Sequence, residues 1–108
     1  MAAYLVLMQQ VHDIGRYRDE YLPGLKPFLR KHGAEDLVAG FDAEPTEGGP
    51  PNSAVVLRLA GVAAAWGLLN DPGYRLVKEI RFSIASRGQA VVAPEFPRQR
   101  VTAGLAAR

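Results

Sequence analysis

A chain of 108 residues suits one domain, and 48% hydrophobic with 22% charged residues is ordinary globular composition rather than that of a disordered chain. The absence of cysteine excludes a disulfide framework, a thiolate metal site and a cysteine nucleophile. Thirteen basic against eleven acidic residues give a net charge of +2, too small to single out nucleic acid or an anionic membrane as a partner.

Ala3 to Gln10 reads as a strand, with Tyr4, Val6 and Met8 on one face and Leu5 and Leu7 on the other. Both faces are apolar, so both need cover. Asp13 is a good N-cap for a helix from Ile14, whose stripe is Ile14, Tyr17, Tyr21, Leu25, Phe28, Leu29 and His32. Pro23 and Pro27 fall inside it and predict a kink or a break, and Gly33 is a natural C-terminal cap. Asp36 to Phe41 reads as a second strand, with Leu37, Ala39 and Phe41 facing together and Val38 opposite. The Pro- and Gly-rich residues 42–52 read as a loop or a frayed strand pair and lead to a third strand from Ser53 to Leu59. A short helix over Gly61–Leu69 presents Val62, Ala65, Trp66 and Leu69 on one face. Asp71-Pro72 starts another helix, running to about Ser86 with Leu76, Val77, Ile80 and Ile84 inward. Gln89 to Glu95 is the fourth strand. Residues 96–108 lack a sustained pattern and are expected to form a flexible tail, its arginines Arg98, Arg100 and Arg108 solvated.

A central strand pair flanked by helices predicts an α+β, ferredoxin-like βαββαβ domain over residues 1–95, with a four-stranded antiparallel sheet. Helices would cover one sheet face. The other face would expose an apolar patch unusual for a monomer, so a two-fold homodimer joined through the sheet faces is expected. The longest uncharged apolar stretch, Leu59 to Asn70, is too short to span a bilayer. The start, Met1-Ala2-Ala3-Tyr4, lacks the basic region of a secretory signal, so the expectation is a cytoplasmic protein without a membrane partner. Basic and aromatic residues do not interleave as an RNA-binding sheet requires, so no nucleic acid is expected either.

Several segments in order resemble one family. They are Ala3-Tyr4-Leu5-Val6, Val11-His12-Asp13 followed by Arg16-Tyr17, Lys31-His32-Gly33-Ala34, Gly40, Glu47-Gly48, Asn70-Asp71-Pro72-Gly73-Tyr74 and Arg81. The set resembles the domain of unknown function 1330 family, of the dimeric α/β-barrel superfamily, from Ala3 to about Glu95. Leu68-Leu69 stands where the family tends to carry an aromatic pair, with Trp66 two residues early. Phe41 stands for a second glycine and Gly73 for a glutamate. The resemblance implies the fold and a homodimer. Related families include cofactor-independent monooxygenases, small-molecule isomerases and haem-dependent enzymes, which bear on activity only by analogy of fold.

His32 ends the first helix on its apolar stripe, where it serves either as a capping cation or as a proton-transfer group. Arg81 offers a fork of donors suited to a carboxylate, an enolate or a phenolate. Tyr74 lies two turns before it on the same helix face. Tyr17 and Trp66 are core aromatics that could also border a pocket. No histidine pair has metal-ligand spacing, and neither a metal nor a cofactor is expected. Haem is a weaker option, with His32 its one plausible ligand.

These residues give two readings. The first is a small-molecule-binding homodimer, in its catalytic form a cofactor-independent enzyme on an acidic or aromatic metabolite. There Arg81 anchors the anion, His32 transfers the proton, and Tyr17, Tyr74 and Trp66 form the pocket. The second is a non-catalytic dimeric interaction module.

Overall fold

The computed structural model describes residues 1–40, 42–44, 46–47, 52–86 and 88–96. Phe41, much of the loop before Asn52, and residues 97–108 of the expected tail, with its three arginines, lie outside the described residues. The order is β1 (Ala3–Gln9), α1 (Ile14–Arg16), a π-helical turn (Tyr17–Tyr21), α2 (Leu22–Lys31), β2 (Glu35–Gly40), β3 (Ser53–Leu59), α3 (Val62–Leu69), α4 (Pro72–Ile84) and β4 (Gln89–Pro94). The strands form one antiparallel sheet in the order β2-β3-β1-β4, the ferredoxin-like arrangement.

Alternation fixes the two central strands. Leu5 and Leu7 of β1 pair with Leu57 and Val55 of β3 on the face beneath the helices, and all four are buried. Each such side chain contributes about 1.5–3 kcal/mol by leaving water. The opposite face carries no helix. One cross-strand row there runs Val38–Val56–Val6–Val91, with a valine from every strand. Tyr4 and Met8 flank it, and Val38, Val91 and Met8 are exposed.

The expected break in the first helix takes the form of the π turn. The Leu22 amide donates to the Tyr17 carbonyl, and Pro23 then falls in the first turn of α2. Pro23 has no amide hydrogen to give to the helical ladder, and the wide π turn just before it is where that ladder departs from the α pattern. The wide turn also places Tyr17 and Tyr21 in the core together, continued by Leu25 and Leu29. Ile14, expected on that stripe, is exposed. α2 ends in a Schellman motif. The Gly33 amide donates to Arg30 and the Ala34 amide to Leu29, while Gly33 takes the left-handed φ of +65° that favours glycine.

Three faces differ from expectation. α3 buries Ala65 and Leu68, leaving Val62 and Trp66 exposed, because this short helix is apolar all round and offers no phase of its own. α4 turns Tyr74, Val77, Arg81 and Ile84 inward, while Leu76 is 69% exposed. The three inward tyrosines, Tyr17, Tyr21 and Tyr74, share the space that a Leu76 phase would need. β2 is an edge strand, exposed on both faces and bulged between Asp36 and Val38, so Leu37 packs on neither side. Among the described residues no helix is long and apolar enough to cross a membrane.

Candidate functional site

Arg81 sits on the buried face of α4 and is only 4% exposed. Its Nε has no hydrogen-bond acceptor, and no carboxylate pairs with the guanidinium among the described residues. Its charge lies 4.9 Å from the ring centre of Phe82, and the Lys78 ammonium lies 5.7 Å from the same ring. An unpaired buried cation is costly, so the arrangement needs a reason beyond packing.

A cleft of about 350 Å³ opens beside it, within the usual range of small-molecule sites. Its floor includes Arg81 and Gln9, and its walls include Trp66, Leu69, Lys78 and Phe82. The N-terminal end of β4, including Gln89, closes one side. Trp66 is 52% exposed, so the structure makes it a wall of the cleft rather than the core anchor that its type suggests. Gly88 also borders the cleft, where a Cβ would collide with the Met8 carbonyl oxygen.

Behind Arg81 lies a layer of buried phenols. Ser53 Oγ donates to Tyr17 Oη at 3.0 Å, and the hydroxyls of Tyr21 and Tyr74 share a hydrogen bond of 3.2 Å. Burial pushes the Tyr17 and Tyr21 phenols above their ordinary range, more strongly for Tyr21, and the positive charge of Arg81 pulls both the other way. Both stay protonated at neutral pH, so they bond and orient but do not act as bases. Tyr17 and Tyr74 are therefore not walls of this cleft, as the sequence suggests; both are enclosed, held by the π turn and by α4.

His32 stands apart from Arg81. Its Nε2 meets Asp71 Oδ2 at 2.7 Å, and Lys31 Nζ meets the same oxygen at 2.9 Å. The other carboxylate oxygen accepts the Gly73 amide at 2.9 Å and so caps α4. Hydrogen bonds from His32, then Lys31, hold the Asp71 carboxyl well below the usual carboxylate range against the opposing effect of burial. The His32 ring packs on α3 beside Gly67, where an added Cβ would make ordinary van der Waals contact with it. Asp71 precedes Arg81 by ten residues along α4, about 15 Å at the rise of a helix. The structure thus brings Arg81 and Trp66 together, places Tyr17 and Tyr74 behind them, and sets His32 at the far end of the helix.

Sequence reasoning overlooked Gln9, Ser53, Lys78, Phe82 and Gln89. For Gln9 and Ser53 a signal was present. Each is the polar member of an alternation whose other members are core residues, Leu5 and Leu7 in β1 and Val55, Leu57 and Leu59 in β3. Lys78 and Phe82 are three residues before and one after Arg81, on an exposed margin that carries no pattern.

The family model described as Domain of unknown function (DUF1330) matches residues 2–95. Among solved structures, this chain is similar to RPA0582, a protein of unknown function from Rhodopseudomonas palustris. The identity is 13%, with 89% of this chain and 83% of that chain covered and a TM-score of 0.69. The methylated form of that protein gives 17% identity, coverage of 89% and 81%, and a TM-score of 0.63. A putative antibiotic biosynthesis monooxygenase from Bacteroides thetaiotaomicron gives 19% identity, coverage of 90% and 88%, and a TM-score of 0.47. A search of curated proteins finds no match. At such identities the first two structures are relatives in fold alone.

Proposed function

The chain belongs to the DUF1330 family, and from that premise we propose that it is a cytoplasmic, small-molecule-binding homodimer whose cleft at Arg81 takes an anionic metabolite. The observation that carries this reading is the buried guanidinium with an unsatisfied Nε at the floor of an open cleft. A carboxylate, enolate or phenolate supplies the paired oxygens that no described side chain offers. Trp66, Leu69 and Phe82 give the ligand an apolar body to rest on, and Gln9 and Gln89 supply neutral donors and acceptors. In a catalytic form, Arg81 stabilises negative charge developing on a substrate oxygen. His32, committed to Asp71 and Gly67, is assigned to structure rather than to proton transfer.

The homodimer rests on the uncovered sheet face. The valine row with Tyr4 and Met8 is a continuous apolar surface over all four strands, and a second copy of the same sheet is its simplest cover. A non-catalytic binding module is the second reading. It is favoured by the lining of the cleft, which holds neither histidine nor carboxylate among the described residues.

Native mass spectrometry of gently purified protein, repeated after denaturation, tests the reading. The expected result is a dimer that releases a small acid, with the added mass lost in Arg81→Met. A monomer overturns the sheet-to-sheet interface, and a ligand retained by Arg81→Met overturns the anchor.

A further inference from the structure

Two cations line the cleft, Arg81 and Lys78. Arg81 and Lys78 are three residues apart on α4, and both lie against the same Phe82 ring, at 4.9 and 5.7 Å from its centre. Side chains three apart on a helix are surface neighbours, with Cβ atoms about 5–6 Å apart. Neither cation has a carboxylate partner among the described residues. Elsewhere on the helical layer Arg16 pairs with Glu20, Arg18 with Asp19 and Lys31 with Asp71, whereas Lys26, Arg30 and Arg75 pair with no described carboxylate; what sets Arg81 and Lys78 apart is that both line one cleft. Among the described residues the lining of the cleft includes two cations and three carboxamides, Gln9, Asn70 and Gln89, and no acid. One cation is enclosed and directional, and the other is partly buried at the rim.

From this juxtaposition we infer that the ligand is a planar or aromatic dianion, a compound with two acidic groups on one rigid, unsaturated body. The inference rests on the anion-binding reading above and sharpens it. The first acidic group meets the Arg81 fork at the floor. The second meets Lys78 at the rim, where an ammonium accepts many geometries. The flat body between them lies along Trp66 and Leu69. Lys78 is thus the residue that sets the preference for a doubly charged ligand, whereas Arg81 sets the preference for an anion at all.

Titration calorimetry of the full chain with three probes separates the two claims. The probes are benzene-1,3-dicarboxylate, benzoate and neutral benzamide. The expected order is dicarboxylate at least about tenfold tighter than benzoate, with benzamide weakest, and a preference that shrinks as salt is raised. Lys78→Met is expected to bring the dicarboxylate to within about twofold of benzoate, whereas Arg81→Met weakens both acids. Equal affinity for the two acids in the unaltered protein, or a preference that survives Lys78→Met, overturns the dianion inference and leaves the anion site standing. Benzamide binding as tightly as both acids, or no binding of any of the three, overturns both.

Discussion

Replacing Arg81 by methionine should make the unliganded protein more stable while destroying its binding. The guanidinium is 4% exposed and its Nε is unsatisfied. A buried donor left unpaired costs about 1–3 kcal/mol. The ring of Phe82 returns part of that, about 0.5–1 kcal/mol for a cation over an aromatic face. Methionine fills a similar volume with an adaptable apolar chain and leaves no donor behind. The net expectation is a gain of about 1 kcal/mol, or about 4–8 °C in Tm for a domain near 100 residues. Thermal unfolding at matched protein concentration, without added ligand, measures it directly; matching matters because the proposed dimerisation would shift Tm by mass action. Stability gained with binding lost is the signature of a group kept for function at the expense of the fold. A Tm lowered by a similar amount would refute the reasoning, since it would show the guanidinium to be part of the scaffold around Tyr17 and Tyr21.

Three other outcomes follow from the same structure. The Asp71 carboxyl is held below its ordinary value in the folded chain, so its contribution is whole above about pH 4 and is lost as the pH falls beneath that. Asp71→Asn should therefore lower the Tm at neutral pH and flatten the acid limb of the stability profile, and an unaltered acid limb would count against the latch to His32 and Lys31. The Tyr17 and Tyr21 phenols are raised, so stability is whole below about pH 10 and falls as the pH rises through their folded values. Tyrosinate absorbance should show Tyr17 and Tyr21 lagging until the protein unfolds, whereas their ionising near pH 10 in the folded state would contradict the enclosed layer. Val6→Lys places a charge in the middle of the valine row. Light scattering should then find a monomer with an unchanged circular dichroism spectrum, and a persistent dimer would move the interface elsewhere.

The parts of the fold that could be read from residues alone are those where one pattern dominates locally. Leu5 and Leu7 against Val6 and Met8, and Val55, Leu57 and Leu59 against Val56 and Arg58, admit a single strand phase. Asp13, Gly33 and Asp71-Pro72 mark helix ends because their backbone chemistry is local. Legibility fails where two phases compete. On α4, Leu76, Val77, Ile80 and Ile84 form as good an apolar stripe as the real one, and only the packing of Tyr17 and Tyr21 from another segment decides for Tyr74 and Arg81. α3 has no preferred side, so the exposure of Trp66 depends on how the helix docks on β1 and β4. The His32–Asp71 contact joins residues 39 positions apart, and nothing local in either segment specifies it. Arg81 was legible as a candidate by type, but its isolation from every described acid is a property of the assembled molecule.

The two outer strands bear on how this molecule behaves at high concentration. A sheet that ends in an open row of amides and carbonyls invites further strands and, in the extreme, fibrils. β2 opposes that with adjacent acids, Glu35 and Asp36, and with the bulge beside them that spoils the register of an incoming chain. β4 is only six residues long and finishes on Pro94, which has no amide to donate. Growth along the hydrogen-bonding direction is therefore blocked at both margins, while the broad valine face stays open to a neighbour. The proposed pairing over a face closes after one partner, without seeding the strand-to-strand polymer that an apolar sheet of this kind would otherwise start.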